Sequence, residues 1–139
     1  MVDLEKIRQD LSFLSGREVI VFGSTVTGNA GPRSDIDIAI ITRTRDADAH
    51  WNLRLDALSK APEGYDIHIL EDLPIVVIAD ILEKYEVVFG DPPAIGEYLY
   101  GYRREWERYR RRFELPSIDD ITRKLGVATD KTSHHVQDR

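Results

Sequence analysis

The stretch VFGSTVTGNAGPRSDIDIAII, residues 21–41, decides how this chain folds. Two apolar, strand-like segments lie at its ends, and a loop rich in glycine and threonine joins them. The first segment stops at Gly23-Ser24, and the second carries Asp35 and Asp37 one residue apart. Because strand side chains alternate between two faces, both carboxylates project from the same face. Without a cation between them they repel each other, and one of their pKa values should rise.

A divalent cation would remove this repulsion. Mg²⁺ prefers oxygen ligands and usually takes one or two carboxylates together with substrate phosphates. Asp66 supplies a third carboxylate on a later predicted strand, residues 65–70, where it shares a face with His68. Three carboxylates can hold two metal ions about 3.5–4 Å apart, the arrangement used for in-line phosphoryl displacement. Gly23 allows close backbone approach, and Ser24 begins a short helix whose free amides would attract an anion.

Each of these signals is weak by itself. An isolated Asp-x-Asp pair is most often two solvated acids on an edge strand, and Gly-Ser alone is an ordinary turn. His68 is interpreted as a partly exposed strand residue rather than as a substrate contact. The order makes the combination specific: a strand, Gly-Ser, a ten-residue gap, Asp-Ile-Asp in a strand, and then Asp66 in another. The sequence therefore predicts a metal-dependent phosphoryl-transfer site.

Helices and strands alternate along the chain, which predicts an α/β (α+β) fold. We expect a small mixed β-sheet with helices packed mainly on one face, followed by a long C-terminal amphipathic helix. Asp72 is the predicted N-cap of the third helix, and His50 is expected on the surface of the second. Helices are predicted from Leu4, around Trp51, Leu55 and Leu58, after Asp72 and after Pro93, and strands at residues 18–22, 35–41, 65–70 and 87–89.

Composition restricts the class of protein. The chain has 139 residues, 42% hydrophobic and 32% charged, and no apolar run approaches the length of a membrane span. The N-terminal segment is charged and amphipathic, unlike a secretory signal, and the absence of cysteine excludes disulfides and thiolate metal sites. A net charge of −6 disfavours general DNA binding. We expect a cytoplasmic protein with one domain in residues 1–115 and a short helix and flexible tail in residues 116–139.

Gly23-Ser24, the gap and SDIDI at residues 34–38 resemble the nucleotidyltransferase motif of the DNA polymerase β superfamily. The small size resembles the minimal nucleotidyltransferases of prokaryotes. The resemblance implies a palm-like fold and Mg²⁺-dependent transfer of a nucleoside monophosphate from an NTP to an acceptor hydroxyl. By the same resemblance Ser24 contacts the NTP phosphates, and Asp35 and Asp37 bind both metal ions. Asp66 would be the third metal-binding carboxylate and would help to activate the acceptor.

One position departs from the pattern of that superfamily. Many relatives carry an arginine shortly after the Gly-Ser pair, whereas this chain has Thr27 before Gly28. Threonine cannot replace the positive charge of arginine toward a triphosphate. We expect Arg33, at the other end of the loop, to supply that charge, so the predicted nucleotide-binding residues are Gly23, Ser24 and Arg33.

The resemblance implies an enzyme that transfers AMP from ATP to a hydroxyl of a protein or RNA acceptor. Minimal nucleotidyltransferases often act as antitoxins that modify a tyrosine of a HEPN-domain toxin. Two alternatives remain: a catalytically inactive module that neutralises a partner by contact, and a transferase acting on RNA or a small molecule. The arginine-rich residues 103–112 are interpreted as a self-paired helix face, with docking of an acidic partner or RNA as the alternative.

Overall fold

The computed structural model describes residues 2–28 and 35–113. Two predictions lie outside these ranges: the short last helix and tail in residues 116–139, and the candidate nucleotide-binding residue Arg33. Two 3₁₀ turns, Ser12–Leu14 and Leu70–Asp72, accompany the main elements. These are α1 (Leu4–Asp10), β1 (Glu18–Phe22), α2 (Ser24–Thr27), β2 (Ile36–Ile41), α3 (Ala47–Lys60), β3 (Tyr65–Ile69), α4 (Ile75–Glu83), β4 (Tyr85–Phe89) and α5 (Pro92–Arg112).

The four strands form one mixed sheet in the order β3-β2-β1-β4. β1 pairs antiparallel with β2 and with β4, whereas β2 pairs parallel with β3. Parallel neighbours need a crossover connection, and α3 supplies it between β2 and β3. This crossover starts β2 and β3 at the same end of the sheet, where the amide of Ile36 donates to the carbonyl of Gly64 at 2.8 Å. The fold class is thus confirmed, and β4 lies at an edge of the sheet.

Helices cover both faces of the sheet, so the expectation that they pack mainly on one face is wrong. One core lies between the sheet and α1 and α3, and includes Ile7 and Ala57. The other lies between the sheet and α4 and α5, and includes Ile78 and Leu99. The reason is the composition of the central strands, because their successive residues are apolar toward both faces, as in the fully buried Val19–Val21 of β1. Both faces must therefore be covered.

Helix α3 has the predicted position but turns a different side toward the sheet. Trp51 and Leu55, expected on its apolar face, are 59% and 47% exposed. The buried residues are instead His50 and Ala57, so the expectation that His50 lies on the surface is wrong. Ala57 has a small side chain, which permits close approach to the sheet. His50 is 1% exposed, and its burial is possible because hydrogen bonds satisfy both ring nitrogens.

The start of α4 also differs from the sequence expectation. The segment is helical as predicted, but Asp72 is not its N-cap; Pro74 occupies that position without a side-chain hydrogen bond. The Asp72 carboxylate instead lies 2.8 Å from Nδ1 of His50. A long-range partner thus replaces the local cap that the sequence suggested. Burial of α4 relies on apolar side chains such as Ile78 and Ile81.

The long helix α5 is confirmed, and Asp91 caps it by accepting a hydrogen bond from the Ala94 amide at 3.2 Å. Its apolar stripe is buried only as far as Trp106, because Tyr109 and Phe113 are largely exposed. The last turns of α5 therefore extend beyond the core. Within the described ranges, no helix combines the length and apolar character required to cross a membrane.

Candidate active site

A cluster of three polar side chains lies on the face of the sheet that α4 and α5 cover. Asp37 on β2 is the direct register partner of Asp66 on β3, and His68 follows two residues later on the same face. His68 Nε2 lies 3.1 Å from Asp66 Oδ2. One donor atom from each of the three residues lies within 4.8 Å of the others. The parallel pairing of β2 and β3 is what brings residues 29 positions apart in sequence into this cluster.

The three predicted carboxylates are not equivalent in the structure. Asp37 and Asp66 belong to the cluster, as the sequence interpretation proposed for neighbouring strands. Asp35 lies one residue before β2, is exposed, and is not part of the group whose donor atoms meet within 4.8 Å. It precedes Asp37 by two positions and follows directly on residues 29–34, which are not described. Asp35 therefore occupies the rim of the site and Asp37 its centre.

The surroundings of the Asp37 carboxyl disfavour its charged form. Burial raises the pKa of the Asp37 carboxyl, and the nearby charge of Asp66 raises it further. The charge of His68 acts in the opposite direction, whereas that of Asp35 adds a smaller increase in the pKa of Asp37. Within residues 2–28 and 35–113, no donor forms a hydrogen bond with Asp37. A partly buried carboxylate without a donor and beside a second carboxylate is suited to a cation.

The Gly-Ser turn contacts this cluster. Gly23 has φ of 82°, in the left-handed region that L side chains rarely adopt. A Cβ atom at this position would overlap Oδ2 of Asp37. Glycine is thus required both by the backbone conformation and by the space that the Asp37 carboxylate occupies. The Gly-Ser turn and the Asp-Ile-Asp segment of the sequence motif are thus in contact, because the backbone at Gly23, directly after β1, lies against the Asp37 carboxylate of β2.

Ser24 is the first residue of α2, a single turn of helix whose N-cap is Gly23. The amides of Val26 and Thr27 both donate to the Gly23 carbonyl at 3.1 Å. The amides that precede them at a helix start have no acceptor within the helix. The Ser24 hydroxyl and these amides are therefore placed at the turn that contacts Asp37. The geometry of the turn can support a contact with an anion bound next to the acids.

His68 is the member of the cluster whose role the sequence interpretation missed. Its position on the Asp66 face was predicted, but it was assigned no part in the site. The signal was available, because two residues separate it from Asp66 and strand side chains alternate. Two carboxylates and an imidazole are a donor set that fits a divalent cation.

The chain is similar to known proteins. Residues 4–111 match the family described as nucleotidyltransferase domain. A candidate protein adenylyltransferase of Methanocaldococcus jannaschii is 29% identical over 107 residues, which cover 77% of this chain and 83% of that protein.

Two solved structures are similar in fold. One, described as a toxin-antitoxin with AMP-PNP, has a TM-score of 0.57 at 21% identity and covers 87% of this chain and 99% of its own. The other comes from a complex of tri-AMPylated Shewanella oneidensis HEPN toxin with MNT antitoxin. It has a TM-score of 0.51 at 21% identity and covers 86% of this chain and 95% of its own. With the family match extending over most of the chain, the protein is a member of the nucleotidyltransferase domain family.

Proposed function

We propose that this nucleotidyltransferase moves AMP from ATP to a hydroxyl group of a protein acceptor, with Mg²⁺ as the metal and two ions in the site. The observation that carries the proposal is the contact of the Gly23-Ser24 turn with Asp37, which in turn is paired with Asp66. The turn that would contact phosphate therefore lies beside Asp37, which receives no hydrogen bond from any described residue. An NTP needs both features, because its phosphates bring the metal ions with them.

The residues divide the chemistry between them. Asp37 and Asp66 would hold the metal, with Asp35 contributing from the rim, and the metal would stabilise the charge that develops on the phosphates. Ser24 would hydrogen-bond a phosphate oxygen. Asp66 would accept the proton of the acceptor hydroxyl. The acceptor oxygen then forms a bond to the α-phosphorus, the bond from that phosphorus to the bridging oxygen breaks, and pyrophosphate leaves.

A HEPN-type toxin is the acceptor that the comparisons favour. Similar folds occur in toxin–antitoxin complexes, one of which contains an AMPylated HEPN toxin, and the relative from M. jannaschii is described as acting on protein. We infer that the present protein acts as the antitoxin of such a pair, in the cytoplasm, where ATP is available. The domain of residues 1–115 would carry the catalytic site, and residues 116–139 would form a separate helix and tail.

The protruding end of α5 is a suitable contact surface for that partner. Tyr109 and Phe113 are exposed there among several arginines. Arg103 pairs with Glu83 at 3.0 Å, but Arg108 and Arg111 form no ion pair within the described part of the chain. The expected self-pairing occurs between Arg110 and Glu107, whereas Arg108 and Arg111 leave positive charge beside the exposed apolar area, features found at protein interfaces.

A labelling experiment tests the proposed function. The protein is incubated with α-³²P-labelled ATP, CTP, GTP or UTP, Mg²⁺ and a lysate of the source cells, and Asp37→Asn serves as the control. We expect label from ATP on a protein band, absent with Asp37→Asn. Label on RNA or on a small molecule would favour the alternative transferases. No label from any NTP, with intact capture of a partner, would favour the inactive binding module.

A further inference from the structure

We propose that His68 is a direct ligand of the divalent ion at this site and that it gives the site a preference for first-row transition ions, with Mn²⁺ as the test case, over Mg²⁺. The inference rests on the proposed function only in placing a metal ion between Asp37 and Asp66. It adds a nitrogen donor to a site otherwise built from carboxylate oxygen.

The donor separations match those of ligands that share one ion. Two octahedral ligands at bond lengths of about 2.05 Å lie about 2.9 Å apart when they are neighbours and about 4.1 Å apart when they are opposite. His68 Nε2 and Asp66 Oδ2 are 3.1 Å apart, close to the neighbouring value. The farthest of the three donor pairs is within 4.8 Å, so small side-chain rotations suffice to place Asp37, Asp66 and His68 around one ion.

The protein holds His68 in place before a metal arrives. His68 lies inside β3, in register with Ala39 of β2, and not on a loop. Its ring packs against Phe22 with the ring centroids 6.1 Å apart, and only 26% of its side chain is exposed. A ligand on a strand with a packed ring loses little conformational freedom when it binds, which favours direct coordination.

Ligand chemistry then sets the metal preference. Mg²⁺ is a hard ion that takes oxygen ligands, whereas imidazole nitrogen suits Fe, Ni, Cu and Zn, and Mn²⁺ is the weakest binder of that first-row series. A site with one histidine and two carboxylates should therefore gain affinity for Mn²⁺ without a matching gain for Mg²⁺. Mn²⁺ gives the most demanding comparison, because affinities for its neighbours in the row are generally higher.

Pulsed electron paramagnetic resonance of bound Mn²⁺ tests the coordination directly. One equivalent of Mn²⁺ is added with AMP-PNP, and ¹⁴N modulation from a coordinated imidazole is recorded. The sequence also contains His134 and His135, which could bind Mn²⁺ adventitiously, so all variants carry His134→Ala and His135→Ala. We expect nitrogen modulation in this background and its loss in His68→Ala and in His68→Asp. The His68→Asp variant supplies an oxygen donor instead and so controls for loss of the side chain.

Calorimetric titration with Mn²⁺ and with Mg²⁺ measures the preference. Substitution of residues that only support a metal ligand costs about 10–100-fold in metal affinity, so His68→Ala should weaken Mn²⁺ binding at least about ten-fold. Mg²⁺ binding should change much less, and His68→Asp should lower the ratio of Mn²⁺ to Mg²⁺ affinity while it retains Mg²⁺ binding. Circular dichroism establishes that each variant is folded.

Three results would overturn the proposal. The first is Mn²⁺ binding that depends on Asp37, as shown by its loss in Asp37→Asn, but gives no nitrogen modulation. The second is an affinity ratio that does not change in the His68 variants. The third is the absence of Mn²⁺ binding with AMP-PNP. The proposed function fails separately, because absent AMP transfer together with intact nitrogen modulation would refute the reaction and support the ligand.

Discussion

Two partly buried carboxylates lie at opposite ends of β2, and the protein treats them in opposite ways. Glu71, next to the end of the strand, accepts hydrogen bonds from the Thr42 amide at 3.1 Å, the Thr42 hydroxyl at 2.9 Å, the Arg43 amide at 2.9 Å and the Tyr98 hydroxyl at 2.7 Å. Asp37, near the start of the strand, receives no hydrogen bond from any described residue and faces a second carboxylate.

The pKa values of the two carboxyl groups shift in opposite directions. Burial acts to raise the pKa of Glu71, but the hydrogen bonds from Tyr98, Thr42 and Arg43 outweigh it and lower the pKa. At Asp37 burial raises the pKa, and the charge of Asp66 adds to the increase. Glu71 thus stabilises the turn after β2, in which Arg43 has a positive φ of 60°. Asp37 has no such partner among the described residues, which is the property expected of a group that binds a ligand.

The largest expected effect is on transfer activity. Asp37→Asn removes a metal ligand, and metal ions contribute several kcal/mol of transition-state stabilisation, so AMP transfer should fall by at least about a thousand-fold. Single-turnover rates with labelled ATP provide the measurement. Asp80→Asn, which changes an exposed acid on α4, is the matched control and should retain the wild-type rate. Near-normal transfer by Asp37→Asn would show that Asp37, like Glu71, is not a metal ligand.

The next effect concerns stability at the other end of β2. Glu71→Ala leaves part-buried donors on Thr42, Arg43 and Tyr98 without their acceptor, so the free energy of unfolding should fall by about 2 kcal/mol. Urea denaturation measures the change. Metal affinity in the folded variant should be preserved, because six or so strand residues, about 16–20 Å, separate the two ends. An unchanged unfolding free energy would show that Glu71 is not a structural acid.

A smaller effect is expected at Ser24, next to Asp37, where substitution should change the affinity for nucleotide. Ser24→Ala should weaken binding of AMP-PNP by about 1.5–3 kcal/mol, through loss of one charge-assisted hydrogen bond. The stability of the free protein should change little, because no described side chain accepts from or donates to the Ser24 hydroxyl. Calorimetry of AMP-PNP binding gives the answer, and unchanged affinity would place Ser24 outside the phosphate site.

The pH dependence of the free energy of unfolding should differ between Glu71 and Asp37, because their pKa values shift in opposite directions. A lowered pKa, as in Glu71, stabilises the fold above the unfolded value of about 4.3, and this stabilisation is lost as pH falls. A raised pKa, as in Asp37, means that stability is lost as pH rises above about 4, when the folded state must give up its proton. In metal-free buffer, Asp37→Asn should therefore gain stability relative to the wild type between about pH 4 and 7. The deficit of Glu71→Gln should be constant above about pH 5 and should shrink as pH falls below about 4.3, toward the lowered pKa of Glu71. Parallel pH profiles for the two variants would contradict the comparison.

The sequence predicted the site better than it predicted the packing. Strand alternation placed Asp66 and His68 on one face, and Gly23 was expected to allow close backbone approach, which the structure shows to be an approach to Asp37. These features depend on local geometry and on the pairing of neighbouring strands. The environment of His50 could not be read from the sequence, because its partner Asp72 is 22 residues away and is brought close only by the fold.

The side of α3 that faces the sheet could not be predicted from its sequence pattern either. The stripe of Trp51, Leu55 and Leu58 predicted a helix correctly but suggested the wrong buried face, because the small Ala57 allows a neighbouring side of the helix to approach the sheet. The role of Asp35 as a metal ligand stays a prediction, since it lies at the rim of the cluster, and the assignment of Arg33 lies outside the described residues.

The central claim is that Asp37 is held for a cation and not for the fold. The most direct test is thermal unfolding of the wild type and of Asp37→Asn, without metal, with Mg²⁺, and with Mg²⁺ and AMP-PNP. Mg²⁺ with nucleotide should stabilise the wild type, by about 2.7 kcal/mol at a hundred times the dissociation constant. Without metal the variant should be at least as stable as the wild type, because the repulsion with Asp66 is relieved, and its metal-dependent shift should shrink or vanish. A variant that is less stable without metal and still shifts fully with Mg²⁺ and AMP-PNP would show that Asp37 is a structural residue.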